Sequence, residues 1–379
     1  MDKVKVEHMP ERLTIQDIAR LAGVSKATVS RVLNHKPDVD PLTRQRITQI
    51  MAEYAFVPSI TASGLAGGRR RMIGVLVPAL TWHFIPEVVQ GVAEVVERGS
   101  YELLLYSISH EENRSAALDR ILDTKLTAGL LAIAPGAFVE RLAQWYDEDF
   151  PVVLIDDQHV PMSTPWVGVD NRTGAVTAVR HLVGLGHRRI AHIQGPPQYY
   201  CSQERYQGYQ QGLAEAGLTV NPAFVVQGDF QVASGRACAR ALLGLAERPS
   251  AIFAANDHMA WGVLEFAEEQ GLRVPEDIAI VGFDDTPPSR HKHPPLTTVR
   301  QPFQEMGQRA AELLLWLIDL PHNSGENRHK TLLSLEPPLP LPGYNAPLHI
   351  HLETSLVIRQ SCGAHRSASL PDRQGALLV

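Results

Sequence analysis

No run of about 18 apolar residues occurs anywhere in the chain, so no membrane span is expected. The opening "MDKVKVEHMPERLT" lacks the apolar core of about 7–15 residues that a secretory signal needs, which points to a cytoplasmic protein. Cysteine is scarce. Cys201, Cys238 and Cys362 are odd in number, far apart and form no CxxC pair, which argues against a disulfide framework or a structural zinc site. The glycine-rich "GLAGGRRR" lacks the GxxxxGK[ST] spacing of a P-loop. "HKH" (291–293) and "HIH" (349–351) lie in Pro-rich loops with no third ligand at helical spacing, so no metal is expected. Asp156/Asp157 and Asp284/Asp285 suggest paired carboxylates, but neighbours in an extended segment point opposite ways, a poor arrangement for glycoside hydrolysis. The expectation is a protein that is not an enzyme and carries no cofactor.

What is present is an uneven charge. Residues 1–71 hold twelve Lys/Arg against seven Asp/Glu, a balance of +5, while the remainder holds 23 against 34, a balance of −11. A basic head on an acidic body fits a protein whose head alone meets phosphates, although chance segregation gives the same numbers. A length of 379 residues is too great for one core and suggests two or three domains.

The head reads as three helices. Thr14 is a plausible N-cap, with Asp17 three residues on, for a helix whose inner face is Ile15, Ile18, Ala19 and Ala22. Gly23 suits the left-handed stop of that helix. Ser25 then caps a second helix with Val29, Val32 and Leu33 inward. Asp40 and Pro41 start a third, with Ile47, Ile50, Met51 and Tyr54 expected to face the core. Two helices joined by a short Gly-containing turn outline a helix-turn-helix, whose second helix offers its N-terminal residues to base edges in the major groove. Those residues are Lys26, Ala27, Ser30 and Arg31. Lys and Arg can donate to the guanine acceptors, and an Ala methyl can touch thymine methyl groups. A three-helix packing module with solvated basic residues is the other reading. The next segment, "VPSITASGLAGGRRR" (57–71), is either a flexible interdomain linker or a segment that folds on binding DNA. In the second case Leu65, beside Arg69–Arg71, is the apolar wedge for a minor groove.

"LTIQDIARLAGVSKATVSRVLN" and "AFVPS…ASGLAGGRRRMIGVLVP" resemble the lactose-repressor/galactose-repressor (LacI/GalR) family of bacterial transcription regulators. The likeness spans roughly residues 13–320 and resumes at 353–361. It implies a homodimeric head on pseudo-palindromic operator DNA, base reading by Lys26, Ala27 and Arg31, and phosphate contacts by Thr28 and Ser30. Thr14, Ser25 and Asn34 complete the implied DNA-facing set, and Leu65 the implied wedge. Ser59 departs from the Asn usual after the hinge proline. Gly64 stands where a better helix former is usual, so the implied hinge helix is costlier here.

From Met72 onward, apolar strands alternate with amphipathic helices in two series, meeting near "VGVDNRTGA". That pattern predicts two doubly wound parallel-sheet lobes of periplasmic-binding-protein-like architecture, with a ligand at the carboxyl ends of the strands. Expected bounds are 1–57 for the helix-turn-helix head, 58–71 for the hinge and 72–362 for the effector and dimerisation domain. Within the last, the N-lobe takes 72–170 with 301–320, and the C-lobe 171–300 with 321–362. The Pro-rich insert 336–347 reads as an exposed loop, and 363–379 as a disordered tail.

Polar and aromatic residues just after strands are the cleft candidates: Asp156, Asn256 and Asp257, Asp284 and Asp285, and Phe230, with Arg205 and Tyr206 at the start of a helix. Carboxylates and amides bind hydroxyls and an aromatic face stacks on a sugar ring, although any one of these is equally a cap or turn residue. The resemblance adds Gln301 and the region of Trp82 and Phe84, and implies structural roles for Asp257 and Asp285. The function expected is a repressor of a sugar or polar-metabolite operon, controlled by a small-molecule effector and associated with the nucleoid when on its operator. A solute-binding protein with the same two lobes and no DNA role is the alternative.

Overall fold

The computed structural model describes residues 13–33, 36–56, 72–108, 114–124, 126–156, 164–319 and 348–364. Asn34, the whole expected hinge 58–71 with Leu65, the Pro-rich insert and residues 365–379 of the expected tail lie outside them. The chain separates into two compact units, Met1–Met72 with Ser115–Ala128, and Ile73–Arg114 with Gly129–Val379. Among the described residues no helix is long and apolar enough to cross a membrane.

In the head, α1 (Ile15–Ala22) begins with a complete capping box between Thr14 and Asp17 and ends at Gly23 with φ 63°. The second helix, α2 (Lys26–Leu33), is capped by Ser25, whose Oγ accepts from the Thr28 amide at 3.1 Å. For α3 (Pro41–Glu53), the Asp40 carboxylate accepts from the Thr43 amide at 2.9 Å. Ile18, Val29 and Ile47 are fully buried where the three helices meet. Tyr54 departs from expectation and is exposed. The helix stops at Glu53, Ala55 turns the chain at φ 48°, and Phe56 packs on the core in its place.

The body contains two six-stranded sheets. The first series runs β1 (Met72–Val77), α4 (Ile85–Arg98), β2 (Glu102–Ser107), α5 (Arg114–Thr124), β3 (Gly129–Ile133), α6 (Val139–Asp147), β4 (Val152–Ile155) and β5 (Trp166–Val169). The second runs α7 (Asn171–Gly184), β6 (Ile190–Gln194), α8 (Tyr200–Glu215), β7 (Val225–Gln227), α9 (Val232–Leu243), β8 (Ala251–Ala254), α10 (Asp257–Glu269), β9 (Ala279–Asp284) and β10 (Thr297–Arg300). Then come α11 (Phe303–Asp319), β11 (His349–Leu352) and β12 (Ser355–Val357). Strand order is β11-β5-β4-β3-β1-β2 in one sheet and β12-β10-β9-β8-β6-β7 in the other. Strands β3, β4, β5 and β8 are buried throughout, as parallel strands covered on both faces must be. Against β3 and β4, α11 lies beside α4 so closely that a Cβ on Gly307 would overlap the Val88 carbonyl.

The lobe boundary differs from the expected one. Residues 321–362 do not all join the C-lobe: β11 pairs in parallel with β5, and only β12 joins the second sheet, antiparallel to β10. The open edge of β5 explains this, since β11 covers it and buries Leu348 and Ile350. "HIH" is therefore strand rather than loop. His349 bonds the Thr164 carbonyl and the His351 ring packs on Trp166. The chain crosses between the sheets three times, at β5–α7, β10–α11 and β11–β12.

One buried base ties this fold to pH. His192 on β6 is wholly buried, stacked among Tyr209, Phe253 and Tyr206, and burial pushes its pKa down to about 4. An unfolded His gains its proton near 6.5, so this group's stability is complete above that pH and falls as the pH drops toward 4. Between pH 7.5 and 5.0 the wild type should lose about 2 kcal/mol more than His192→Phe, measured by urea unfolding at the two pH values.

Candidate functional site

A cavity of about 500 Å³ lies between the two sheets, bounded by the segments that leave the carboxyl ends of their strands. That is where doubly wound sheets gather ligand-binding groups, and the size is that of a small-molecule site. Beyond β1 lie Trp82, His83 and Phe84, and beyond β3 and β4 lie Ala134 and Asp156. From the second sheet come Gln198, Tyr199 and Tyr200 after β6, then Asp229 and Phe230 after β7. Asn256 and His258 follow β8, Asp284 closes β9, and Gln301 follows β10. Eight expected residues (Trp82, Phe84, Asp156, Arg205, Phe230, Asn256, Asp284 and Gln301) line this one cavity, whereas Tyr206 stacks on His192 instead and Asp257 and Asp285 lie outside the lining.

Four lining residues hold a backbone conformation that L side chains avoid: Ala134 (φ 43°), Asp156 (φ 70°), Phe230 (φ 68°) and Asp284 (φ 119°). Such conformations persist only where the surroundings enforce them, and they collect at ligand sites. For Phe230 the enforcement is visible: Asn256 Nδ2 donates to its carbonyl at 3.1 Å while Asn256 Oδ1 caps α10 through the Met259 amide. Asn256 thus serves both as a helix cap and as a cavity residue.

Among the described residues that line the cavity, Arg205 is the one Arg or Lys, and it is buried. Its Nε donates to Asn171 Oδ1 at 2.9 Å and its Nη1 to the Ala255 carbonyl at 2.6 Å, and the guanidinium lies 3.9 Å over the Phe283 ring. Asp284 stands 3.6 Å from Nη1 and also accepts from Gln301 Nε2 at 2.8 Å. Burial pushes the Asp284 carboxyl up, while Arg205 and Gln301 hold it down. The neighbouring acids have other duties. Asp257 accepts from the Thr286 amide and from the Ser289 and Thr298 hydroxyls, and Asp285 is held by Arg300 and Arg359. Asp257 thereby fastens α10 to the segment between β9 and β10, and Asp285 fastens the end of β9 to β10.

Around the cavity the aromatic rings touch in series. Trp82 meets Phe84 at 5.9 Å and Tyr199 at 5.6 Å between centroids, and Tyr199 meets Phe230 at 6.0 Å. Sequence reasoning missed Tyr199, His83 and His258. The segment beyond "RIAHI" was an available signal for Tyr199, since it occupies the same strand-end position as the residues that were found. His83 and His258 meet only in space, with ring centroids 3.7 Å apart.

On the head, Lys26, Ala27 and Arg31 are exposed on one side of α2, with Thr28 and Ser30 half-buried beside them. The Ser25 and Thr28 hydroxyls share a hydrogen bond at 2.9 Å, and Thr14 is engaged in its capping box. Arg31 Nε lies 3.6 Å from Asp38 Oδ2 with both groups well exposed, a weak surface pair that DNA can displace.

Residues 14–59 match the description "Bacterial regulatory proteins, lacI family", and residues 179–339 match a periplasmic binding protein-like domain. Catabolite control protein A of Priestia megaterium is 33% identical over 303 residues, covering 80% of this chain and 91% of that protein. The chain belongs to the LacI family. The transcriptional repressor CytR of Escherichia coli K12 is another relative, 32% identical over 82% of this chain and 92% of its own length. Among solved structures, the Lac repressor dimer bound to operator and an anti-inducer superposes with TM-score 0.75 at 28% identity, over 93% of this chain and 99% of that one. Like its LacI-family relatives, this protein is a DNA-binding transcriptional regulator.

Proposed function

We propose that this LacI-family protein is a cytoplasmic repressor of a sugar or polar-metabolite operon that binds pseudo-palindromic operator DNA as a homodimer. Lys26, Ala27 and Arg31 read bases, Thr28 and Ser30 contact phosphates, Thr14, Ser25 and Asn34 complete the DNA-facing set, and Leu65 enters the minor groove. The cleft residues Trp82, Phe84, Asp156, Arg205, Phe230, Asn256, Asp284 and Gln301 bind the effector. The observation that carries this reading is the cavity itself, where carboxylates, an amide, a buried guanidinium and aromatic faces converge in a chain that also holds a helix-turn-helix. Effector seated between the lobes favours one lobe orientation over another. Among the described elements three crossings join the sheets, which makes lobe rotation the available two-state element. The head and connector, taken as 1–57 and 58–71, transmit that choice to DNA.

A solute-binding protein shares the two lobes but has no use for the head. Selection of bound duplexes from a randomised library separates the two readings. A repressor enriches two-fold symmetric sequences, and its log affinity falls steeply with log salt, with a slope of about −0.9 per phosphate contact. No enrichment and a flat salt response would contradict the proposal.

A further inference from the structure

Two neighbouring side chains of the N-lobe reach across to the C-lobe. Trp82, beyond β1, meets the Tyr199 ring edge-on at 5.6 Å. The next residue, His83, meets His258 of α10 edge-on, with ring centroids 3.7 Å apart. His83 also lies 6.0 Å from the Trp261 ring, which His258 touches at 4.5 Å. The two histidines differ in burial, since His83 is exposed whereas His258 is 9% exposed. The ring of one lobe thus lies over the ring of the other, and part of what buries His258 belongs to the opposite lobe.

Such a pair tolerates charge poorly. Burial, then His83, push the His258 pKa down to about 4, and burial also lowers that of His83. Lys292, between β9 and β10, acts on His258 in the same sense; it sits 4.8 Å over the Trp261 ring and 3.6 Å from Glu265. Among the described residues, the charges that bear on His258 are therefore basic ones, His83 and Lys292. When the lobes part, His258 regains solvent and its proton affinity returns toward that of a free imidazole, near 6.5. A group whose pKa is depressed in the closed arrangement stabilises that arrangement fully above pH 6.5 and loses the contribution as the pH falls toward 4. Between pH 7.5 and 5.5 this lowers the closed-to-open ratio by up to about ten-fold.

Carboxylates along the same seam act in the other direction. Glu87, in the first turn of α4, is pushed up by burial and then by Asp285, with Arg290 holding it down. Asp284 is raised by burial, held down by Arg205 and Gln301, and raised further by Asp156 and Glu87. Protonating these acids removes repulsion between the lobes. The histidine contribution is therefore the difference between the wild type and variants that keep every one of these acids.

We propose that the His83–His258 contact is a latch between the lobes that acid releases: it holds the cleft closed while both rings are neutral and lets the lobes part when either ring takes up a proton. It rests on the lobe rotation invoked above, and on no particular ligand in the cleft.

The test follows the full-length protein, grown with fluorotryptophan, by fluorine NMR from pH 7.5 to 5.0 without ligand or duplex. Each signal is assigned by its Trp→Phe variant. Trp261 reports the histidine rings, Trp82 the contact with Tyr199, and Trp145, wholly buried in the N-lobe, the integrity of the fold. In the wild type, the Trp261 and Trp82 signals should move together with one midpoint below 6.5, while Trp145 stays still. His83→Ala and His258→Gln should each abolish the Trp82 transition. His83→Glu, which sets a carboxylate against His258, should move the Trp261 midpoint above 6.5. An unshifted Trp145 signal in each variant reports that it is folded. A wild-type Trp82 signal that ignores pH overturns the latch. So does a Trp82 transition that survives in His83→Ala or His258→Gln, or an unchanged Trp261 midpoint in His83→Glu. Any of these results leaves the effector-cleft reading standing, since no ligand is present. A screen of sugars and nucleosides without a hit, by contrast, removes the cleft reading and leaves the latch intact.

Discussion

Arg205→Ala is expected to abolish the response to effector while leaving the head able to bind DNA. The guanidinium is 2% exposed and joins three partners from different parts of the C-lobe: Asn171 at the start of α7, the Ala255 carbonyl after β8 and Asp284 at the end of β9. Truncating it leaves the Asn171 amide oxygen without its donor and the Asp284 carboxylate with Gln301 but without the nearby positive charge. Asp284, already pushed up by burial, loses the largest influence holding it down and takes up a proton more readily. A hydrogen bond from a charged group to the ligand is worth about 1.5–3 kcal/mol, so effector affinity should fall by roughly one to two orders of magnitude. Titration of a ligand identified by thermal shift measures the loss. Duplex affinity in the absence of ligand, set by the separate head, should stay near wild type. A variant that still responds to ligand at wild-type concentrations would remove Arg205 from the site.

The second large effect belongs to Arg31. It projects from the exposed side of α2 and, among the described residues, pairs with Asp38 at 3.6 Å on the surface, so it loses little by turning to a guanine edge. Arg31→Ala should weaken binding to a selected duplex by about 1–3 kcal/mol and flatten the preference at one base position in each half-site. A phosphate contact behaves differently, since its loss weakens all sequences alike and shallows the salt slope. Competition binding against single-base variants of the duplex tells the two apart. If Arg31→Ala keeps full affinity and selectivity, base reading by this residue is wrong. Asp38→Ala, which frees Arg31, should leave affinity unchanged or slightly higher.

Sequence made the head legible because its signals are local. Thr14 with Asp17, Gly23, Ser25, and Asp40 with Pro41 each act within four residues, and each appears where the spacing puts it. Tyr54 failed because helical periodicity was extended one residue past the end of α3, where Ala55 turns the chain. In the body, unbroken apolar strands gave the sheets, and the strand-end rule gathered residues as distant as Trp82 and Gln301 around one cavity. That rule carries no information about contacts between lobes, so the His83–His258 pair was invisible. The path of β11 escaped for a related reason. An alternating strand does not say which sheet it joins, and the free edge of β5 decided it.

Coupling between cleft and head is the central claim, and one thermodynamic cycle tests it most directly. Duplex affinity is measured with and without a ligand found by thermal-shift screening of sugars and nucleosides, and ligand affinity with and without the selected duplex. Coupling requires the same factor in both directions, about 5–150-fold for typical regulators, and requires Arg205→Ala to bring it to one. Ligand that saturates the cleft while duplex affinity stays unchanged would contradict the claim.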